Sequence, residues 1–185
     1  MKVDEAEVIL EALIFASTRP IGPRQLGDLL EIEPELAARL VERVRDRYAE
    51  RGIQLRSVAG GYQFVTAAEC APWLEKLGRP MIHSPLSLAG VETLAIVAYK
   101  QPITKAEIEH IRGVRVDSSV NTLLERDLIT EVGRKEGPGR PILYGTTEQF
   151  LIHFGLRSLD DLPQQDEFTD ELAAGEGPEV EAPET

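Results

Sequence analysis

The sequence predicts an α+β protein, mainly helical, made of two tandem copies of one small domain with a short linker between them and an acidic tail behind. Three observations carry that prediction. First, Leu13-Ile14-Phe15-Ala16-Ser17-Thr18-Arg19-Pro20-Ile21-Gly22 matches Ala95-Ile96-Val97-Ala98-Tyr99-Lys100-Gln101-Pro102-Ile103-Thr104 at an offset of 82 residues, with Ile14/Ile96, Ala16/Ala98, Pro20/Pro102 and Ile21/Ile103 identical. So long an offset exceeds the period of the common solenoids and reads as a repeated domain. Second, each copy runs in the same order: apolar helix, Pro-Ile elbow, short helix, longer helix, pair of strands. Third, the net charge of −12 is uneven: residues 1–87 carry 11 Lys/Arg against 13 Asp/Glu, residues 88–154 carry 8 against 9, and the last 31 carry one arginine against ten acids. With 185 residues, 42% of them hydrophobic, there is apolar material for two small cores.

In the first copy the periodicity predicts a helix from about Asp4 to Ser17. A second follows from Gly22-Pro23 through Leu30, and a third opens at Pro34 and ends near Gly52. Proline suits the first helical position, where its missing N–H would have no partner anyway. Ala37, Val41, Val44 and Tyr48 make one apolar face of the third helix. Gln54–Val58 and Tyr62–Thr66 flank Gly60-Gly61, a hairpin signal, and Pro72–Leu77 reads as a short closing helix. The boundaries are residues 1–77 for this domain and 78–86 for a proline-bearing linker.

The second domain, 87–154, opens with a helix from Ser87 to Tyr99. Thr104-Lys105-Ala106-Glu107 is a capping box, in which threonine and glutamate satisfy each other's exposed backbone donors. Asp117–Arg126 is the third helix, with Val120, Leu123 and Leu124 inward. Ile129–Gly133 and Ile142–Thr146 are strands around the basic, glycine-rich loop 134–141, and Thr147–Phe154 is a terminal helix. Three helices followed by such a hairpin describe a winged helix, so the chain reads as two tandem winged-helix domains. Residues 155–185 read as an acidic tail, mostly disordered: beyond Leu162-Pro163 the scattered apolar residues cannot repay the entropy of ordering.

The same residues exclude several classes. No apolar run approaches the ~20 residues that span a bilayer, and the acidic N-terminus is unlike a signal peptide. Cys70 alone can form neither an internal disulfide nor a multi-cysteine metal site. His83, His110 and His153 have no ligand-pair spacing, and Gly137-Pro138-Gly139 lacks the lysine and hydroxyl residue of a phosphate loop. No catalytic constellation emerges; neither an enzyme nor a cofactor is expected, and the compartment expected is the cytoplasm.

Two features call for a functional reading. Both opening helices are apolar almost all round, whereas a surface helix of a small domain needs one apolar stripe. Their excess is expected to be buried against a partner or between the two domains. The candidate contact residues are Val8, Ile9, Leu10 and Leu13 on the first helix and Val91, Leu94, Ala95, Ala98 and Tyr99 on the second. The other feature is the basic wing of Arg134, Lys135 and Arg140, suited to phosphate or to an acidic partner, or simply solvated. A near-neutral body gains little from counterion release, and the third helix, Asp117–Arg126, offers one basic residue beside two acids, so sequence-specific DNA reading is not expected. A winged-helix transcription regulator is the alternative; it explains the wing but not this helix.

The stretch Glu92–Thr104, with Glu107–Val114, Thr122–Ile129, Gly133-Arg134-Lys135, Pro138-Gly139-Arg140-Pro141, Tyr144–Thr147 and Phe150–Pro163, resembles the bacterial segregation and condensation protein B family. Glu11–Ala16 and the Pro20-Ile21 elbow are similar to its N-terminal signature. One departure is Asp127, where many members carry glycine. The resemblance implies tandem winged-helix domains, a homodimer formed through the first, and binding of a kleisin subunit, ScpA. Through the kleisin the protein would join the heads of an SMC protein in a condensin-like, nucleoid-associated complex for chromosome condensation and partition. The ATPase would then belong to the SMC partner, and DNA would be touched only indirectly or weakly.

Overall fold

The computed structural model describes residues 3–77 and 85–164. The expected disorder of the tail, from residue 165 onward, and most of the linker, 78–84, lie outside the described residues.

In the first half, α1 (Val3–Ala16), α2 (Pro23–Leu30) and α3 (Pro34–Tyr48) precede a hairpin of β1 (Ile53–Val58) and β2 (Gly61–Thr66). A single 3-10 turn, Ala68–Cys70, then leads into α4 (Ala71–Lys76). Pro23 and Pro34 occupy the first turns of α2 and α3 as their φ angles favour. The α2–α3 connection needs Gly27, because a Cβ there would stand 2.7 Å from the Ile32 carbonyl oxygen and 3.3 Å from the Pro34 nitrogen.

The hairpin corrects the expected turn by one residue. Val58 pairs with Gly61, so the two-residue loop is Ala59-Gly60, both left-handed (φ 49° and 71°), as the twist of a tight hairpin demands. Gly61 is instead the first residue of β2, where its missing side chain lets the strand lie against Pro20 and Ile21; a Cβ would meet their backbone at 2.9–3.0 Å.

The second half comprises α5 (Leu88–Lys100), β3 (Ile103–Thr104), α6 (Lys105–Arg112), α7 (Asp117–Glu125), β4 (Ile129–Arg134), β5 (Ile142–Thr146) and α8 (Glu148–Phe154). Ser87 caps α5 by accepting from the Gly90 N–H, and the Thr104–Glu107 capping box is formed as read from sequence. The strand β3 was not expected. The elbow joins a three-stranded antiparallel sheet in the order β3-β5-β4, pairing Ile103 with Tyr144. The first half has the counterpart in a single bridge between Ile21 and Tyr62, at the same offset of 82.

The offset does not hold inside the opening helices. Ile14 is buried while Ile96 is only partly so, and Ala16 is exposed while Ala98 is buried, so these identical pairs are not equivalent in packing. Buried Ala6, Leu10 and Ile14 instead correspond to buried Gly90, Leu94 and Ala98, two residues further on. The elbow is correspondingly two residues shorter in the second half, where α5 ends at Lys100 and the next strand begins at Ile103.

Each half has its own apolar core. In the first, Leu10, Ile14, Leu26, Val41 and Val44 close against Leu55 and Tyr62 of the hairpin; in the second, Leu94, Val97, Ile108, Leu123, Ile129 and Phe150 do so. The second core also corrects the boundary placed after residue 154. Leu156 and Leu162 pack against it, and the segment makes a 3-10 turn at Leu159–Asp161, so residues 155–164 are structure rather than tail. The apolar spacing of Leu156, Leu159 and Leu162 signals this; the acids between them mask it.

Candidate functional site

α1 buries Ala6, Glu7, Leu10 and Ile14 against its own domain. That choice of face dictates what remains outside. Val8 is 64% exposed and Phe15 71%, with Ala12 between them, at the i, i+4, i+7 spacing that makes one stripe of a helix. Ile9 lies at the edge of the stripe and Leu13 is half-buried. Leu10 is fully buried in the first core, so it cannot be part of a dimer contact, contrary to the sequence reading. Phe15 was missed, although subtracting the inward i, i+4 set from an all-apolar helix would have found it. Its ring meets Phe64 edge-on, with centroids 6.3 Å apart, and Phe64 in turn meets Tyr48 at 4.9 Å, so the outer face of α1 continues onto the hairpin.

α5 divides in the same way. Leu94 (2% exposed) and Ala98 (7%) belong to the second core and offer nothing to a partner, which removes them from the candidate grip. Val91 and Ala95 face outward, and Leu88 extends their stripe by one turn. Tyr99 is half-buried and its hydroxyl donates to the Pro163 carbonyl at 2.8 Å, so it is already engaged within the chain. The rotation of α5 is held from inside. Thr93, fully buried, donates to the Ala89 carbonyl and accepts from Arg112 Nη1 (3.1 Å), while Arg112 Nη2 pairs with Glu92. This network between α5 and α6 decides which residues of α5 look out.

The basic wing is exposed throughout, but its charge is partly used internally. Arg134 Nη1 donates to the Arg140 carbonyl (3.2 Å), and Lys135 Nζ pairs with Glu107 of α6 at 2.5 Å. Arg140 itself adopts a left-handed backbone at φ 39°. Glu107 therefore has two tasks, capping α6 and anchoring the wing. The Lys135 ammonium, followed by the Thr104 N–H and hydroxyl, holds its carboxyl at about 2, well below the usual 4.5. A depressed carboxyl contributes stability above the unfolded value and loses it as pH falls through the folded one. Wild type is thus expected to be more stable than Glu107→Gln at pH 6, with the gap closing between pH 4.5 and 2 in denaturant titrations. Thr104→Ala, which removes the cap's other half, is expected to cost about 1 kcal/mol at pH 6.

Among the described residues no group of three His, Cys, Asp or Glu side chains is arranged to hold a metal ion. His110 and His153 are exposed, the latter edge-on to Phe154; His83 lies outside the described residues. Cys70 is half-buried. No described helix is long and apolar enough to cross a membrane.

Two outward apolar stripes, each on the opening helix of a half with its own core, are left uncovered within the chain. The family described as "Segregation and condensation complex subunit ScpB" matches residues 8–165, and the chain belongs to that family. A segregation and condensation protein B from Desulforamulus reducens is 48% identical over 167 residues, covering 89% of this chain and 92% of that protein. Among solved structures, ScpB from Mycobacterium tuberculosis is 37% identical over 84% of this chain and 98% of its own, with a TM-score of 0.41. A dimer of an ScpB N-terminal domain complexed with a ScpA peptide is 33% identical over 40% of this chain and 96% of its own, with a TM-score of 0.39.

Proposed function

We propose that the chain is a non-enzymatic adaptor of a condensin-like complex, in which two tandem winged-helix domains divide the work. The first, residues 1–77, forms a homodimer through the outer stripe of α1. The second grips the kleisin subunit ScpA with the outer face of α5 and, through ScpA, joins the SMC protein in the nucleoid. The observation that carries this reading is the pair of apolar stripes that remain after each core has taken its share: Val8, Ala12 and Phe15 on α1, and Leu88, Val91 and Ala95 on α5. Membership of a family of complex subunits supplies the kind of partner.

An amphipathic segment laid along α5 would bury what the second core leaves out, a recurring mode of peptide recognition. The wing supports the adaptor over the DNA-reading regulator, since Lys135 is paired with Glu107 and Arg134 is turned to a carbonyl. DNA contact by the chain alone is therefore weak and without sequence preference. Calorimetric titration of ScpA into full-length variants tests the assignment. Val91→Glu is expected to weaken binding at least tenfold with an unchanged melting temperature, while Arg134→Ala changes it less than threefold. Wild-type affinity in a folded Val91→Glu variant would place the kleisin elsewhere.

A further inference from the structure

The two-residue turn of the first hairpin leaves two amides outside its ladder, those of Ala59 and Gly60. In a tight hairpin these N–H groups point away from both strands and ordinarily go to water. Here they do not. The Ala59 N–H donates to the Leu156 carbonyl at 2.8 Å and the Gly60 N–H to the Arg157 carbonyl at 3.1 Å, two bonds between the halves. The accepting segment is built to present those carbonyls. Gly155 ends α8 in a left-handed conformation, and the Leu156 N–H returns to the Leu151 carbonyl. Leu156 and Leu162 pack on the second core. Asp161 then closes a ring, its carboxylate accepting from the Arg157 backbone N–H (2.8 Å), Nε (3.0 Å) and Nη2 (2.6 Å).

We propose that residues 155–162 are a clamp between the two halves, seated on the second core and closing on the turn of the first hairpin. Domains joined by a linker move relative to one another by default unless an interface holds them. The clamp supplies such a hold at two backbone donors that have no other partner within the hairpin. On the functional reading above, the α1 and α5 faces then meet their partners at a preset spacing, which spares the complex part of the ordering cost of assembly. A partner that rearranges the halves has to break these two bonds, so the two amides also report on opening.

The test is amide water-exchange NMR on the full-length chain at neutral pH, which does not depend on any partner and so stands apart from the kleisin reading. The Ala59 and Gly60 amides are expected to exchange at least tenfold more slowly than in an unstructured peptide of the same sequence. Asp161→Ala, which loosens the ring without touching either core, should return both to the free rate while the β1–β2 ladder amides and the melting temperature stay as in wild type. Free-rate exchange of both amides in wild type would overturn the clamp. So would protection that survives Asp161→Ala, because the amides would then have another partner. Protection that fades on dilution overturns it too, by assigning the carbonyls to a second copy of the chain.

Discussion

Replacing Arg43 and Arg47 together by alanine is expected to cost the first half about 3 kcal/mol, whereas Glu7→Leu costs little or nothing. Glu7 of α1 is a charged side chain only 2% exposed, packed between α1 and α3. Arg43 Nε lies 2.9 Å from Oε1 and Arg47 Nη1 lies 2.9 Å from Oε2, yet Oε1 has no aligned hydrogen bond and is held by charge alone. The arginines themselves are 59% and 46% exposed. The arrangement is asymmetric. Removing both arginines strands a carboxylate in an apolar setting, and an uncompensated buried charge is among the costliest defects a core can carry. Removing the carboxylate leaves two guanidinium groups that water can already reach. For a domain of this size the double variant should lower the melting midpoint by roughly 10–20 °C, read by calorimetry. Equal losses from the double variant and from Glu7→Leu would show that side-chain packing, not burial of the charge, dominates the site.

Glu7 also marks where the sequence stops being readable. A glutamate at the seventh position of an acidic N-terminus looks solvated, and only the placement of Arg43 and Arg47 four residues apart on α3 makes its burial tolerable. The elements were readable because their punctuation is local: Pro23 and Pro34 open helices, Thr104 and Glu107 cap one, and Gly61 announces a hairpin. What was not readable depends on pairing at a distance. β3 exists because Ile103 finds Tyr144 across 41 positions, and nothing near the elbow signals it. The turn frame slipped by one because two adjacent glycines compete for it; the close approach of Pro20 and Ile21 to Gly61 settles the matter.

Asp127 illustrates the converse. It adopts φ 55°, the left-handed region in which glycine carries no penalty and aspartate a modest one, so the chain meets a backbone demand that suits glycine with a short polar side chain. The Thr147 hydroxyl donates to its carbonyl, holding the turn from the start of α8.

The candidate faces were legible as helices but not as faces. Identity at offset 82 aligned Ile14 with Ile96, but burial aligns Ile14 with Ala98. An all-round apolar helix has no periodicity to reveal which side is inward. The structure resolves this through partners: Leu26 and Val41 fix the inner side of α1, as Ile108 and Leu123 fix that of α5. Of the four residues read as a dimer contact, Leu10 is lost to the core. Of the five read as a kleisin grip, Leu94 and Ala98 are lost likewise.

That division separates two substitutions that sequence alone would treat alike. Val8→Glu is expected to yield a folded monomer, and Leu10→Glu an unfolded first half. The Val8 side chain is 64% exposed within one chain, so a carboxylate there is solvated in the monomer and leaves the fold intact. In a dimer formed through Val8, Ala12 and Phe15 the same carboxylate would be buried beside apolar groups of the second copy without a counter-charge, a penalty of about 3 kcal/mol or more. That corresponds to at least a hundredfold weaker self-association. Leu10, with no exposed surface, sits against Ile14 and Val41 in the first core, so a charge there opposes folding itself. Light scattering with mass determination, alongside circular dichroism, distinguishes the cases. Phe15→Glu should repeat the Val8 result, because the two lie seven residues apart on one stripe. If Val8→Glu and Phe15→Glu both remain folded dimers at micromolar concentration, the outer face of α1 is not the dimer contact, and the apolar stripe must be covered by something other than a second copy.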